Sequence, residues 1–226
     1  MSQNTSSAVM AQRKEAHDSL DHFPTPPWAT RALCEWLLTK GEPIRASLVW
    51  EPACAEGHMA GPLGEYFAEV SASDVHDYGY GMVCDFLLAD WVAEKIPADW
   101  VITNPPFRLG RQFIETALKR ASRGVAILVR TAFLESAERY DGSGPKGDGV
   151  GLFKPNPPSE ILQFVERVPM FKGRLDRRGS TATAYCWLVW RKNLHGAPFS
   201  RSTSFHWLAP CRARLERDSD YPASSA

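Results

Sequence analysis

Asp99-Trp100-Val101-Ile102-Thr103-Asn104-Pro105-Pro106-Phe107 is the stretch that most restricts how this chain can fold. An apolar run of strand character stops there at an Asn, two prolines and an aromatic. Consecutive prolines fix φ at both positions and donate no hydrogen bond, so a sheet ladder cannot pass through them. The backbone must leave the strand end along a rigid path. The corner presents mostly acceptors, the Asn104 side-chain oxygen and the Pro105 carbonyl, with the flat ring of Phe107 beside them. Two acceptors and a ring suit a planar group bearing an exocyclic NH2, such as adenine. A proline-terminated strand in an ordinary α/β loop would use the same residues.

The lone pair of an aryl amine is delocalised into its ring, which makes the nitrogen a poor nucleophile. Accepting a hydrogen bond from each N–H favours the pyramidal geometry that develops as the nitrogen attacks, so the corner would stabilise the transition state more than the ground state. Asn cannot act as a strong base, and the proton would leave after the bond has formed. The Phe107 ring could stack on the base at ~1–3 kcal/mol.

Around this corner the pattern alternates strand and helix, which predicts an α/β fold: a Rossmann-like, doubly wound, mostly parallel sheet with helices on both faces. Phe23-Pro24-Thr25-Pro26-Pro27-Trp28 reads as a rigid turn into a helix, with Thr25 at its N-cap and Pro26 at the first helical position. That helix, Trp28 to Leu38, places Leu33, Trp36 and Leu37 on one stripe. The strand Ser47-Leu48-Val49-Trp50 runs into Glu51-Pro52-Ala53-Cys54-Ala55-Glu56-Gly57-His58, and a helix reaching Phe67 is predicted next. Strand, tight turn and helix form the entry to a nucleotide-type site, where small residues let a ligand approach the backbone and a helix N-terminus favours a carboxylate. The absence of a G-x-G-x-x-G argues against a pyrophosphate cofactor. Asp74 ends the next strand 17 residues past Gly57, where nucleotide-binding sheets hold a ribose hydroxyl pair; turn formation is the plainer role.

Taken in order, Phe23-Pro24-Thr25-Pro26, Glu51-Pro52-Ala53-Cys54-Ala55-Glu56-Gly57 and Asn104-Pro105-Pro106-Phe107 resemble the motifs of S-adenosylmethionine-dependent amino-methyltransferases, above all the N6-adenine enzymes of small phage or prophage type. The similarity spans about residues 21–210. The resemblance implies the class I methyltransferase fold as a single domain, with the last strand antiparallel. It implies S-adenosyl-L-methionine as cofactor, held by Phe23, Thr25, Pro26, Glu51, Pro52, Ala53, Cys54, Gly57 and Asp74. Asp85 and Phe86, in Gly81-Met82-Val83-Cys84-Asp85-Phe86-Leu87, resemble the segment at the cofactor adenine. Asn104, Pro105, Pro106 and Phe107 would be catalytic. The implied reaction is methylation of adenine N6 in DNA, with the base flipped out of the duplex. RNA adenine methylation would share every motif. Release-factor glutamine methyltransferases also use Asn-Pro-Pro-aromatic, though with Tyr in the last position and a helical N-terminal domain, both missing here. A non-catalytic nucleic-acid-binding module would not need the full set. Restriction-linked members carry a large target-recognition domain for which this chain has no room.

Net charge is zero but lopsided. Residues 1–104 hold 6 Lys+Arg against 15 Asp+Glu, a balance of −9, and residues 105–226 hold 20 against 11, a balance of +9. An acidic half suits a cofactor bearing an ammonium and a sulfonium, and a basic half suits nucleic acid. Chance segregation of solvated charge is the alternative. Arg108 and Arg111 sit at a predicted helix start (Gln112 to Leu118), where the dipole disfavours cations unless an anion joins them. Phe171, Lys172, Arg174, Arg177 and Arg178 make the densest basic cluster with an aromatic, a footprint for nucleic acid or a solvated hairpin tip.

The remaining expectations are organisational. Residues 1–20 read as a flexible leader, 21–211 as the methyltransferase domain with a mobile loop at 141–158, and 212–226 as a charged tail. Ala89 to Lys95 is predicted as a short helix. Asn156-Pro157-Pro158 repeats the motif without a preceding strand or an aromatic and reads as the start of a helix that passes into strand by Val168. Ala184 to Trp190 is predicted as the antiparallel strand. The five cysteines lack ligand or disulfide spacing, and His195 and His206 lack ligand-spaced partners, so free thiols and no metal are expected. No apolar run approaches the ~18 residues of a membrane span, and a cytoplasmic protein without a membrane partner is the expectation.

Overall fold

The computed structural model describes residues 21–88, 96–193 and 202–221. The expected leader, the helix expected at 89–95 and His195 lie outside these residues. A single sheet of eight strands organises the rest: β1 (Leu48–Glu51), β2 (Glu69–Asp74), β3 (Met82–Val83), β4 (Trp100–Thr103), β5 (Gly124–Arg130), β6 (Glu160–Phe164), β7 (Tyr185–Arg191) and β8 (Ser204–Leu208). Their order across the sheet is β3-β2-β1-β4-β5-β7-β6-β8. All neighbours pair parallel except β7, which runs antiparallel to both β5 and β6. The helices are α1 (Pro27–Thr39), α2 (Ala60–Leu63), α3 (Gly110–Arg120), α4 (Ala137–Asp141) and α5 (Arg212–Leu215).

The two faces of the sheet bury separate cores, and strand alternation sorts residues between them. Trp100, Ile102, Ala126 and Leu128 join Trp28, Leu33 and Leu37 of α1. Val101, Val125, Ile127 and Val129 join Phe113, Ile114 and Ala117 of α3. Both faces being covered explains why β4, β5 and β7 read as nearly continuous apolar runs. Gly124 is required where it stands, because a Cβ there would lie 2.5 Å from the Trp100 ring. No described helix is long and apolar enough to cross a membrane, and all five cysteines are free.

Several local expectations need correction. The helix after β1 is four residues, not a run to Phe67, because Gly61 and Pro62 within it and Gly64 at its C-cap are poor helix formers. Pro26, not Thr25, is the N-cap of α1, and Pro27 takes the first helical position. Glu160–Phe164 is strand from its start, so Asn156-Pro157-Pro158 precedes no helix; β-sheet pairing on both sides of β6 overrides the local pattern. The antiparallel β7 is interior, and β8 closes that edge. The 141–158 segment is tied down at Arg111, which bonds Asp148 at 2.6 Å and the Gly151 carbonyl at 3.1 Å. Within the expected tail, Leu215 is buried and Asp220 reaches the buried Arg31 of α1 at 2.7 Å.

Candidate active site

Strand order reverses between β1 and β4, whose successors lie on opposite sides. In open α/β sheets the carboxyl ends of strands at such a reversal leave a crevice for ligand. Glu51 ends β1, Asp74 ends β2 and Asn104 follows β4, and all three line one cleft with Phe23, Thr25, Ala53 and Cys54. Four segments far apart in sequence therefore converge where a cofactor and an acceptor would have to meet.

The floor of the cleft is acidic. Glu51 is 2 % exposed, and its Oε2 has no hydrogen-bond partner among the described residues. Burial and the neighbouring Asp74 hold its carboxyl well above the usual range, opposed only by the Ala60 N–H. Asp74 is employed differently. Its Oδ2 accepts from the Ala55 N–H at 3.0 Å and its Oδ1 from the His76 N–H at 3.0 Å, which pins the loop between β1 and α2. That loop is tightly wound, with Ala55 at φ +43° and Gly57 at φ +83°. A Cβ on Gly57 would come within 2.6 Å of the Tyr80 ring. The Cys54 thiol is pushed up to about 12 by burial and by Glu51 and Asp74, so it remains protonated and is no nucleophile.

A short strap from the N-terminal side sets the Asn104 side chain. Its Nδ2 donates to the Phe23 carbonyl at 2.9 Å and contacts Met170 Sδ at 3.6 Å. The amide is thereby oriented, and Oδ1 is buried with no partner among the described residues. Asp21 accepts from the Phe107 N–H at 2.5 Å, and the Phe23 ring leans on the Phe107 ring at 5.0 Å and 41°. Pro105 accepts no backbone hydrogen bond among the described residues. Among the described residues no bond is made to either oxygen, and the two prolines leave the backbone little freedom to turn them away.

The motif straddles two spaces. Asn104 and Pro106 line the cleft, whereas Pro105 and Phe107 line a second cavity of about 210 Å³ with Gly110, Leu128, Arg130 and Phe133. Among expected cofactor residues, Pro26, Pro52, Gly57, Asp85 and Phe86 do not line the cleft. Asp85 instead accepts from the Leu87 N–H at 2.9 Å, a local turn. Phe86 is core, edge-on to Trp50 at 5.0 Å.

The expected nucleic-acid residues fare less well. Arg111 is taken up by Glu115 at 2.8 Å and Asp148 at 2.6 Å, acids that offset its charge at the helix start. Arg177 pairs with Asp218 at 2.6 Å and Arg174 with Asp176 at 3.6 Å, above the Phe171 ring. Arg108, Lys172 and Arg178 are exposed. The charge asymmetry has a folding role: Glu35–Arg214, Glu42–Arg191, Glu65–Arg217 and Asp99–Arg123 join the acidic half to the basic half.

Sequence reasoning missed Asp21, His22, Tyr78 and His58, which line the cleft, and Arg130 on the far side of the motif. His22 lies 2.8 Å and His58 3.8 Å from Glu56 at the rim, and burial lowers the His58 imidazole. An acid and a histidine directly before Phe23-Pro24-Thr25-Pro26 were a usable signal. So was an arginine ending an apolar strand.

No family model matches the chain, and no curated protein matches it. Among solved structures it resembles a putative RNA methyltransferase from Pyrococcus horikoshii, with a TM-score of 0.54 and 15% identity over 82% of this chain and 96% of that one. A modification subunit of a putative type I restriction enzyme from Vibrio vulnificus gives 0.53 and 15%, over 96% of this chain and 53% of that one. A putative class I S-adenosylmethionine-dependent methyltransferase from Listeria monocytogenes gives 0.51 and 14%, over 85% and 69%. At such identities the likeness establishes architecture: the chain has the α/β, mostly parallel fold of class I methyltransferases.

Proposed function

We propose that this chain transfers a methyl group from S-adenosyl-L-methionine to the exocyclic N6 of adenine in DNA, as small phage- or prophage-type adenine methyltransferases do. The observation that carries this reading is the buried, partnerless Oδ1 of Asn104 at the edge of a cleft floored by Glu51 and Asp74. A buried acceptor without a donor costs about 1–3 kcal/mol, and an N–H of the substrate amine would remove that cost.

The residues present fit the cofactor. Glu51 Oε2 is a buried acceptor without a donor, matched to the ammonium of a methionine moiety, and a second acid, Asp74, stands beside it. When bound, S-adenosylmethionine supplies a methyl group made electrophilic by its sulfonium. Asn104 Oδ1 would accept one N–H of the amine and the Pro105 carbonyl the other, localising the nitrogen lone pair as it attacks. The strap from Asp21 to Phe23 would hold both oxygens in place, so that orientation is settled before the reaction. Asn104 takes no proton; the amine loses it after the new bond forms. The Phe107 ring would stack on the flipped base.

DNA is favoured over RNA by the motif resemblance, and the two nucleic-acid neighbours, one named for RNA and one for restriction modification, support a nucleic-acid acceptor in general. Incubation of DNA and RNA together with methyl-labelled cofactor, followed by nucleoside mass spectrometry, tests the reading. Label on N6-methyldeoxyadenosine is expected. Label on N6-methyladenosine would move the acceptor to RNA, and label only on cytosine or protein would overturn the N6 reading.

A further inference from the structure

We propose that Arg130 is a placeholder for the acceptor base: its guanidinium occupies the face of Phe107 on which the base would stack, and leaves it for the phosphate backbone when nucleic acid binds. The inference rests on the function proposed above and adds a positioning residue to it. The Arg130 guanidinium carbon lies 3.7 Å from the Phe107 ring centroid, the separation of a stacked planar group, and 5.8 Å from that of Phe23. Because Phe23 already leans on Phe107, the region held by Arg130 is the one through which a base could reach the ring from the second cavity.

Charge and tethering single out Arg130 as the group that moves. It is exposed, it ends β5, and it forms no ion pair among the described residues. The Tyr185 hydroxyl stands near enough for the Arg130 charge to offset part of the rise that burial gives its pKa. Arg139, also on the cavity wall, is fixed by the Phe133 carbonyl at 2.6 Å and lies over the Phe133 ring at 4.5 Å. Arg111, Arg177, Arg191, Arg214 and Arg217 are each held by carboxylates. A cation stacked on a ring at an exposed site is easily displaced, and a base and a phosphate together replace both halves of what Arg130 gives up.

The test separates base from phosphate, using adenosine and a short adenine-containing single-stranded DNA as probes, each with S-adenosylhomocysteine present. Arg130→Ala should bind adenosine roughly two- to fivefold more tightly, since the ring face is vacant. It should bind the DNA more weakly, with the slope of log K against log salt reduced by about 0.7. Arg130→Lys, which keeps the charge and loses the planar stack, should retain the wild-type salt slope. Thermal unfolding of both variants confirms that they fold. Weaker binding of both probes by Arg130→Ala, or an unchanged salt slope, would overturn the placeholder while leaving the proposed function standing. Failure of the wild-type protein to bind DNA would overturn both.

Discussion

Replacing Glu51 by Gln should move two properties in opposite directions. The side chain is 2 % exposed, its Oε2 is partnerless, and its carboxyl is held well above the usual range by burial and Asp74. A raised acid destabilises the fold where the unfolded chain would ionise. The penalty appears as pH climbs past the ordinary glutamate range and levels off above the raised folded value. Gln keeps the shape and an acceptor for the Ala60 N–H but cannot ionise, so the ligand-free variant should unfold at a higher temperature than wild type at about pH 8. A gain of about 1 kcal/mol would raise the midpoint by roughly 2–4 °C in a chain of this size. Cofactor binding should suffer instead. A hydrogen bond to a charged group contributes about 1.5–3 kcal/mol, so S-adenosylmethionine should bind about 10- to 150-fold more weakly. Wild-type affinity should also rise with pH as Glu51 ionises, and the variant should lose that dependence. Differential scanning fluorimetry and calorimetry read the two effects. A variant less stable than wild type at alkaline pH, with unchanged affinity, would refute the assignment of Glu51 as the ammonium acceptor.

Asn104→Ala should lower turnover about 10²–10³-fold, the usual loss on removing one preorganised transition-state hydrogen bond, with cofactor affinity nearly unchanged; loss of both would make Asn104 structural. Arg31→Ala should destabilise by about 3–5 kcal/mol in chemical denaturation, because it takes the guanidinium away from the enclosed Asp220 carboxylate, whereas the exposed Glu65 keeps Arg217. The Asp220 carboxyl, pushed up by burial but pulled lower overall by the Arg31 guanidinium, makes this a stabilisation present at neutral pH and lost as pH falls through the carboxylate range. Wild type should therefore lose stability in acid faster than the variant. Arg111→Ala should make residues 141–158 more susceptible to limited proteolysis and leave the salt dependence of DNA binding unchanged; a drop in slope of about 0.7 would restore Arg111 as a phosphate contact.

The legible parts of the fold were those where one physical rule dominates. Pro105 and Pro106 had to end β4, and the apolar runs at Val101, Ile127 and Leu188 had to be buried strands. Glu51, Asp74 and Asn104 were readable as strand-end residues, and a sheet that reverses between β1 and β4 brings them together. What escaped depended on partners distant in sequence. Nothing local to Arg111 reveals Asp148, and nothing local to Arg214 reveals Glu35, so excess positive charge looked like a nucleic-acid surface when much of it is internal pairing. Glu160–Phe164 resembles a helix start until β7 and β8 flank it. Asp85 and Phe86 were assigned by resemblance alone, and they fold into a turn and the core.

A crystal structure with S-adenosylhomocysteine tests most directly whether one cleft unites the two chemistries. The expected result places the ligand's amino group on the Glu51 carboxylate, its ribose near Asp74, and its sulfur on the side facing Asn104 Oδ1. Ligand bound away from Glu51, or with its sulfur turned from Asn104, would contradict the reading of this corner as a methyl-transfer site.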